Sequence, residues 1–156
     1  MKPRFRIPGL PLFGLLLLGA ALCVAGCGEK ANLDPPKLIL GQQECEECKM
    51  IVSEERFAAG VAFIADGDTT KFVFDDVGCL IDWLAKSAQR DSCIPYVHDY
   101  DSLAWLDART AYFMHSEELR TPMASHIAAC ADAAAAEALL QQYPGQRVTW
   151  PQLNKK

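Results

Sequence analysis

One order of pattern occurs twice in this sequence, and it restricts the fold more than any single motif. Gly60 to Ala65 is apolar, Asp66-Gly67-Asp68 is a hairpin signal, and Thr69 to Phe74 is β-branched and aromatic. Asp75-Asp76 offers a helix cap. Val77, Leu80, Ile81 and Leu84 then recur at i, i+3, i+4 and i+7, which gives one apolar helix face. Ile94 to His98 reads as a third strand, and Tyr100 to Ala108 as a connector with a turn at Asp101-Ser102. The second half repeats the order. Thr110 to Met114 is a strand, Ser116 to Ser125 a longer loop, and His126 to Cys130 a strand. Asp132 caps a helix whose Ala136, Leu139, Leu140 and Tyr143 form the apolar face, and Pro144-Gly145 stops it before a closing strand, Arg147 to Trp150. Aligning Asp76 with Asp132 places Leu84 on Leu140 and Phe74 on Cys130. The expectation is an α+β fold of two similar ββαβ units, 44–106 and 107–151, packed together because neither alone buries much core. A single irregular α+β domain is the alternative. Residues 152–156 are a tail.

The N-terminus reads as an export signal. Lys2, Arg4 and Arg6 precede an apolar stretch from Ile7 to Gly26, which Pro8 and Pro11 interrupt and which is short for a spanning helix. Val24-Ala25-Gly26 places small residues directly before Cys27. This is the order of a lipoprotein signal over residues 1–26, with lipid on the Cys27 thiol. An ordinary secretory signal or an uncleaved anchor are the alternatives. Two or more acyl chains hold a protein on a membrane, at about 0.8 kcal/mol per buried methylene. Gly28 follows the cysteine, as in outer-membrane lipoproteins of Gram-negative cells, so the expected location is the periplasmic face of a bacterial membrane. Residues 27–43, with Asp34-Pro35-Pro36 and no helical period, read as a tether. Loss of the signal lowers Lys+Arg from 15 to 12 against 20 acidic residues, a net charge near −8. Such a surface excludes nucleic acid as a partner.

Of seven cysteines, Cys23 leaves with the signal and Cys27 is used by lipid. Cys45, Cys48, Cys79, Cys93 and Cys130 remain, an odd number in an oxidising compartment, so at least one thiol needs another use. Cys45-x-x-Cys48-x-Met50 is the strongest chemical signal. Two thiolates and a thioether are soft ligands that select Cu(I), and the spacing lets three sulfurs converge in one loop. The same pair also fits a structural disulfide, a redox pair or half of a zinc site. No second Cys-x-x-Cys completes the zinc reading. A Pro-containing tether, not a strand, precedes the motif, unlike a thioredoxin-type site. Met123, in Thr121-Pro122-Met123, is a further thioether in a loop, and His126 is near enough in sequence to join it. Cys79 lies in the first turn of the first helix, where the dipole favours a thiolate. Cys93 and Cys130 read as buried thiols or a mutual disulfide, Met114 as packing, and His98 and His115 as surface or hydrogen-bonded residues. No Ser elbow, P-loop or dinucleotide glycine pattern is present, so the expectation is a binding protein without enzyme activity.

In order along the chain, Cys45-x-x-Cys48-x-Met50, Arg56-Phe57-Ala58-Ala59, Phe74-Asp75-Asp76-Val77-Gly78-Cys79, Asp99-Tyr100, Trp105, Ala111-Tyr112-Phe113 and Thr121-Pro122-Met123 resemble the NosL family of lipoproteins. The resemblance implies paired ββαβ units and a Cu(I) chaperone that serves the copper centres of nitrous oxide reductase, either directly or through its maturation proteins. It implies Cys48, Met50 and Met123 as ligands; the residues themselves add Cys45 or His126 as an assisting ligand. Many members have glycine where Lys49 stands. A thiol–disulfide oxidoreductase or a structural lipoprotein using Cys45 and Cys48 is the competing reading.

Overall fold

A computed structural model describes residues 32–155. The expected signal segment and Cys27 lie outside the described residues.

Both expected units form. In the first, β1 (Ala59–Ala65) and β2 (Asp68–Phe74) pair antiparallel through a two-residue turn, Asp66-Gly67. Both turn residues have positive φ, +52° and +89°, which matches the twist of the strands and accounts for the glycine. The helix α1 (Val77–Lys86) follows, and β3 (Ile94–His98) returns beside β1. The strand β4 (Trp105–Asp107) adds an antiparallel edge, so the sheet order is β2-β1-β3-β4. Part of the expected connector is therefore sheet. Three residues are too few to show an alternation, and β4 is held by pairing with β3.

The second unit has β5 (Tyr112–His115), β6 (Ile127–Cys130), α2 (Ala133–Gln142) and β7 (Gln146–Val148), in the sheet order β6-β5-β7. This is the β2-β1-β3 arrangement over again, with a helix in the same place in the order. The closing strand stops at Val148. Trp150 instead opens a short helix, α3 (Trp150–Leu153), and stacks its indole on Phe113 at 6.0 Å.

The helices α1 and α2 begin where the sequence indicates. The Asp76 carboxylate accepts from Gly78 N–H and that of Asp132 from Ala135 N–H. Val77, Leu80 and Leu84 of α1 are buried, and Trp83 packs its ring against Phe63, Phe72 and Phe74. In α2, Ala136 and Leu139 are buried. One core cluster spans both units, joining Phe74, Leu80 and Val97 to Phe113, Ile127 and Trp150. The sheets also join directly: Asp99 bridges Ala129 in parallel, Tyr100 N–H donates to Ala129 O at 2.9 Å, and Ala131 N–H donates to the Asp99 carboxylate at 2.7 Å.

The segment before Cys45 packs against the first sheet. Tyr96 Oη–H donates to Leu33 O at 2.6 Å, and Pro36 is buried over Gly60, where a side chain would collide with its ring. Leu38 also lies against the core. Docking this segment fixes where Cys45 enters the fold.

Candidate metal centre

The loop after the docked segment is a small hairpin. Glu44 and Ile51 form an antiparallel bridge, Cys45 N–H donates to Met50 O at 2.7 Å, and Lys49 N–H donates to Cys45 O at 3.0 Å. Closing so tight a loop puts Lys49 at φ +63°. Glycine reaches that region without strain, whereas a residue with a Cβ gives up ~1–2 kcal/mol. The Lys49–Glu46 ion pair at 3.2 Å is exposed and offsets little of this. The loop thus keeps the glycine-type geometry with lysine in place.

Cys79 comes to this loop as the third residue of α1. The sulfurs of Cys45, Cys48 and Cys79 all lie within 4.8 Å of one another. Metal–sulfur bonds of ~2.3 Å place three sulfurs around one trigonal ion ~4 Å apart, so the spacing suits a shared soft cation. Cys45 is fully buried, Cys79 buried and Cys48 half-buried. All five described cysteines are free thiols. Cys93 and Cys130 are buried separately; burial raises the first, and pushes the second up to about 12.

Negative charge is directed onto Cys45. The Cys79 thiol donates to its sulfur, as do Cys48 N–H at 3.5 Å and Asp75 N–H, and together these lower Cys45 to about 5 despite its burial. Donating that proton, and standing next to the resulting anion, raises Cys79. Cys48 is raised by burial and by the neighbouring thiolate, while Met50 N–H donates to its sulfur. The first turn of α1 adds the positive end of its dipole.

The Asp75-Asp76-x-Gly78-Cys79 segment holds this arrangement. Asp75 is buried, and its carboxylate accepts from Ser53 N–H at 2.7 Å and Ser53 Oγ–H at 3.2 Å, which fixes the segment leaving the loop. Asp76 is wholly buried. One of its oxygens accepts from Gly78 N–H at 2.7 Å and the other from Met123 N–H at 3.0 Å. A side chain at Gly78 would stand 2.7 Å from Ser125 Cβ, so glycine lets the second unit's loop approach. A cavity of about 380 Å³ lies between them, lined by Cys48, Cys79, Met123 and Ser125 with Glu47 and Asp82.

Cys45, Cys48 and Met123 surround one locality, joined by Cys79, which the ligand set read from the sequence did not contain. Met50 has its backbone in the sulfur loop and its side chain 56% exposed. Met123 is 38% exposed at the cavity wall. His126 is turned elsewhere: its Nδ1–H donates to Leu119 O at 2.8 Å and its ring faces His115 and Glu117. The remaining histidine, His98, is buried under Trp105 with Nδ1 bonded to Ala58 O at 3.1 Å, and burial lowers its pKa.

No curated protein matches the sequence. Among solved structures, the crystal structure of the copper chaperone NosL from Shewanella denitrificans is similar, with 21% identity and a TM-score of 0.60 over 76% of this chain and 96% of that one. At that identity the likeness is one of fold. The family model described as NosL matches residues 36–156, which takes in the sulfur loop, Cys79 and both ββαβ units. With the match running from the docked proline to the end of the sequence, the chain belongs to the NosL family.

Proposed function

We propose that this protein carries Cu(I) and passes it to an exported cuproenzyme by ligand exchange. The observation that carries the reading is the convergence of three thiols beside a cavity lined by two of them, Cys48 and Cys79, and by Met123. Family membership and a similar fold described as a copper chaperone support it. Sulfur-only ligation favours the soft monovalent ion over hard cations. The gradient of exposure suits transfer. Cys45 is an internal anchor, whereas Met50 and Met123 are accessible to an incoming ligand. The proposed ligands are Cys45, Cys48 and Cys79, with the two methionines completing or covering the site. The client proposed is nitrous oxide reductase or its maturation proteins, met at the periplasmic face of the outer membrane by a chain lipidated on Cys27. Sequence order and family resemblance support those two statements.

Titration of the purified protein with Cu(I) against a chelator tests the reading. One equivalent should bind tightly enough to compete, and Cys48→Ser should weaken it at least tenfold. Weak binding that ignores Cys48→Ser and Met50→Ala would end it.

A thiol–disulfide oxidoreductase is the second reading, favoured by the lowered pKa of Cys45. Attack requires an accessible thiolate, and here the acidic thiol is the one at 0% exposure, while the accessible Cys48 is raised. The order of acidity and access is the reverse of what that chemistry needs.

A further inference from the structure

The sulfur cluster leaves a second group of ligating side chains unused. His115 ends β5, and His126 stands immediately before β6, across the mouth of the second hairpin; Ser116 N–H donates to His126 O at 3.1 Å. Their rings are 6.1 Å apart. His126 has φ +60°, a conformation uncommon outside glycine, and it turns the imidazole toward His115. The Leu119 carbonyl can only accept, so the bond at 2.8 Å fixes the proton on Nδ1 of His126 and leaves Nε2 with its lone pair. Both Nε2 atoms face one carboxylate: His115 Nε2 is 3.7 Å from Glu117 Oε1, and His126 Nε2 is 3.9 Å from Oε2. Donors bonded at ~2.0 Å to a tetrahedral ion stand ~3.3 Å apart, so an ion here would draw the three side chains together, chiefly by rotation of Glu117, whose side chain is 81% exposed.

We propose that His115, His126 and Glu117 form a second metal site, for a divalent ion of the Zn(II) or Cu(II) class. Two imidazoles and a carboxylate suit borderline divalent ions, whereas the thiol cluster suits a monovalent one, so the two sites differ in the charge and softness of what they hold. The carbonyl bond to Nδ1 is the outer contact that orients a metal-binding histidine. Both rings are about a quarter to a third exposed, which leaves positions for water or a partner's ligand. His126 N–H also donates to Thr121 Oγ1 at 3.2 Å, so an ion here holds the base of the loop that carries Met123. The site stands whether or not the thiols bind copper.

The test fills the thiols of the purified protein with Ag(I) and titrates Zn(II) by calorimetry. One further equivalent should bind, weakened about tenfold or more by His115→Gln and separately by His126→Gln, with melting curves confirming that each variant is folded. Cu(II) added to the same Ag(I)-loaded protein should give a spin-resonance spectrum with coupling to two nitrogens, and one nitrogen fewer in either variant. Absence of a further equivalent, or binding and spectra unchanged in both variants, overturns the proposal.

Discussion

Replacing Asp76 by alanine separates what this carboxylate does for the helix from what it does for the site, because Asp132 is its counterpart in the second unit. Each caps a helix through one backbone N–H, Gly78 at 2.7 Å and Ala135 at 2.8 Å. Loss of a cap costs about 1 kcal/mol. Asp132 is exposed and its carboxylate does not reach the metal centre, so Asp132→Ala should cost about that and leave metal binding alone. Asp76 is wholly buried and also takes Met123 N–H at 3.0 Å. Stranding that donor adds roughly 1–3 kcal/mol, so Asp76→Ala should cost about 2–4 kcal/mol in all. It should also release the loop bearing Met123 from the cavity wall. Denaturant unfolding measures the first effect and Cu(I) competition the second, expected as a fall in affinity of about tenfold, for the loss of one positioned ligand at ~1.4 kcal/mol. Equal stability losses in the two variants, with copper affinity untouched in both, would refute the division of roles.

Three further outcomes are expected. Lys49→Gly should leave stability equal or up to about 1 kcal/mol higher, and Lys49→Val should lower it by about 1–2 kcal/mol, since φ +63° suits glycine and strains a β-branched residue; unfolding midpoints decide. Gly78→Ala should weaken metal binding by pushing Ser125 away, and Gly78→Ala with Ser125→Gly should restore it, since the contact to be relieved is 2.7 Å from one Cβ to the other. In the metal-free protein the first thiolate should appear, by ultraviolet absorbance, with a midpoint near 5. Cys45 is lowered on folding from its ordinary 9.0, so its contribution to stability is present above the unfolded value and is lost as pH falls through about 5; a first thiolate appearing only above the ordinary cysteine range would contradict this.

The units were legible because their signals are local. The Asp-Gly turn, two capping aspartates and the helix faces need only neighbouring residues, and all formed. The sulfur loop was legible for the same reason, its donors being within six residues. Cys79 was not, because only the packing of α1 beside the docked N-terminal segment brings it to Cys45. Its sequence signals were a thiol three places after a capping aspartate and its place at the end of the Phe74-to-Cys79 motif, neither of which pairs it with Cys45. Met123 and His126 show the opposite failure. They are close in sequence, but Ala124 at φ +54° and His126 at φ +60° turn the chain between them. Their side chains therefore serve different neighbourhoods, and such left-handed residues carry no signal when they are not glycine or asparagine. The edge strand β4 and the helix at Trp150 were hidden because short elements take their conformation from what they pair with or pack on.

Counting sulfur around bound Cu(I) by X-ray absorption, in the native protein and in Cys79→Ser, tests the central assignment most directly. An all-sulfur shell that loses one scatterer in the variant is expected. An unchanged shell, or one dominated by nitrogen and oxygen in the native protein, would contradict it.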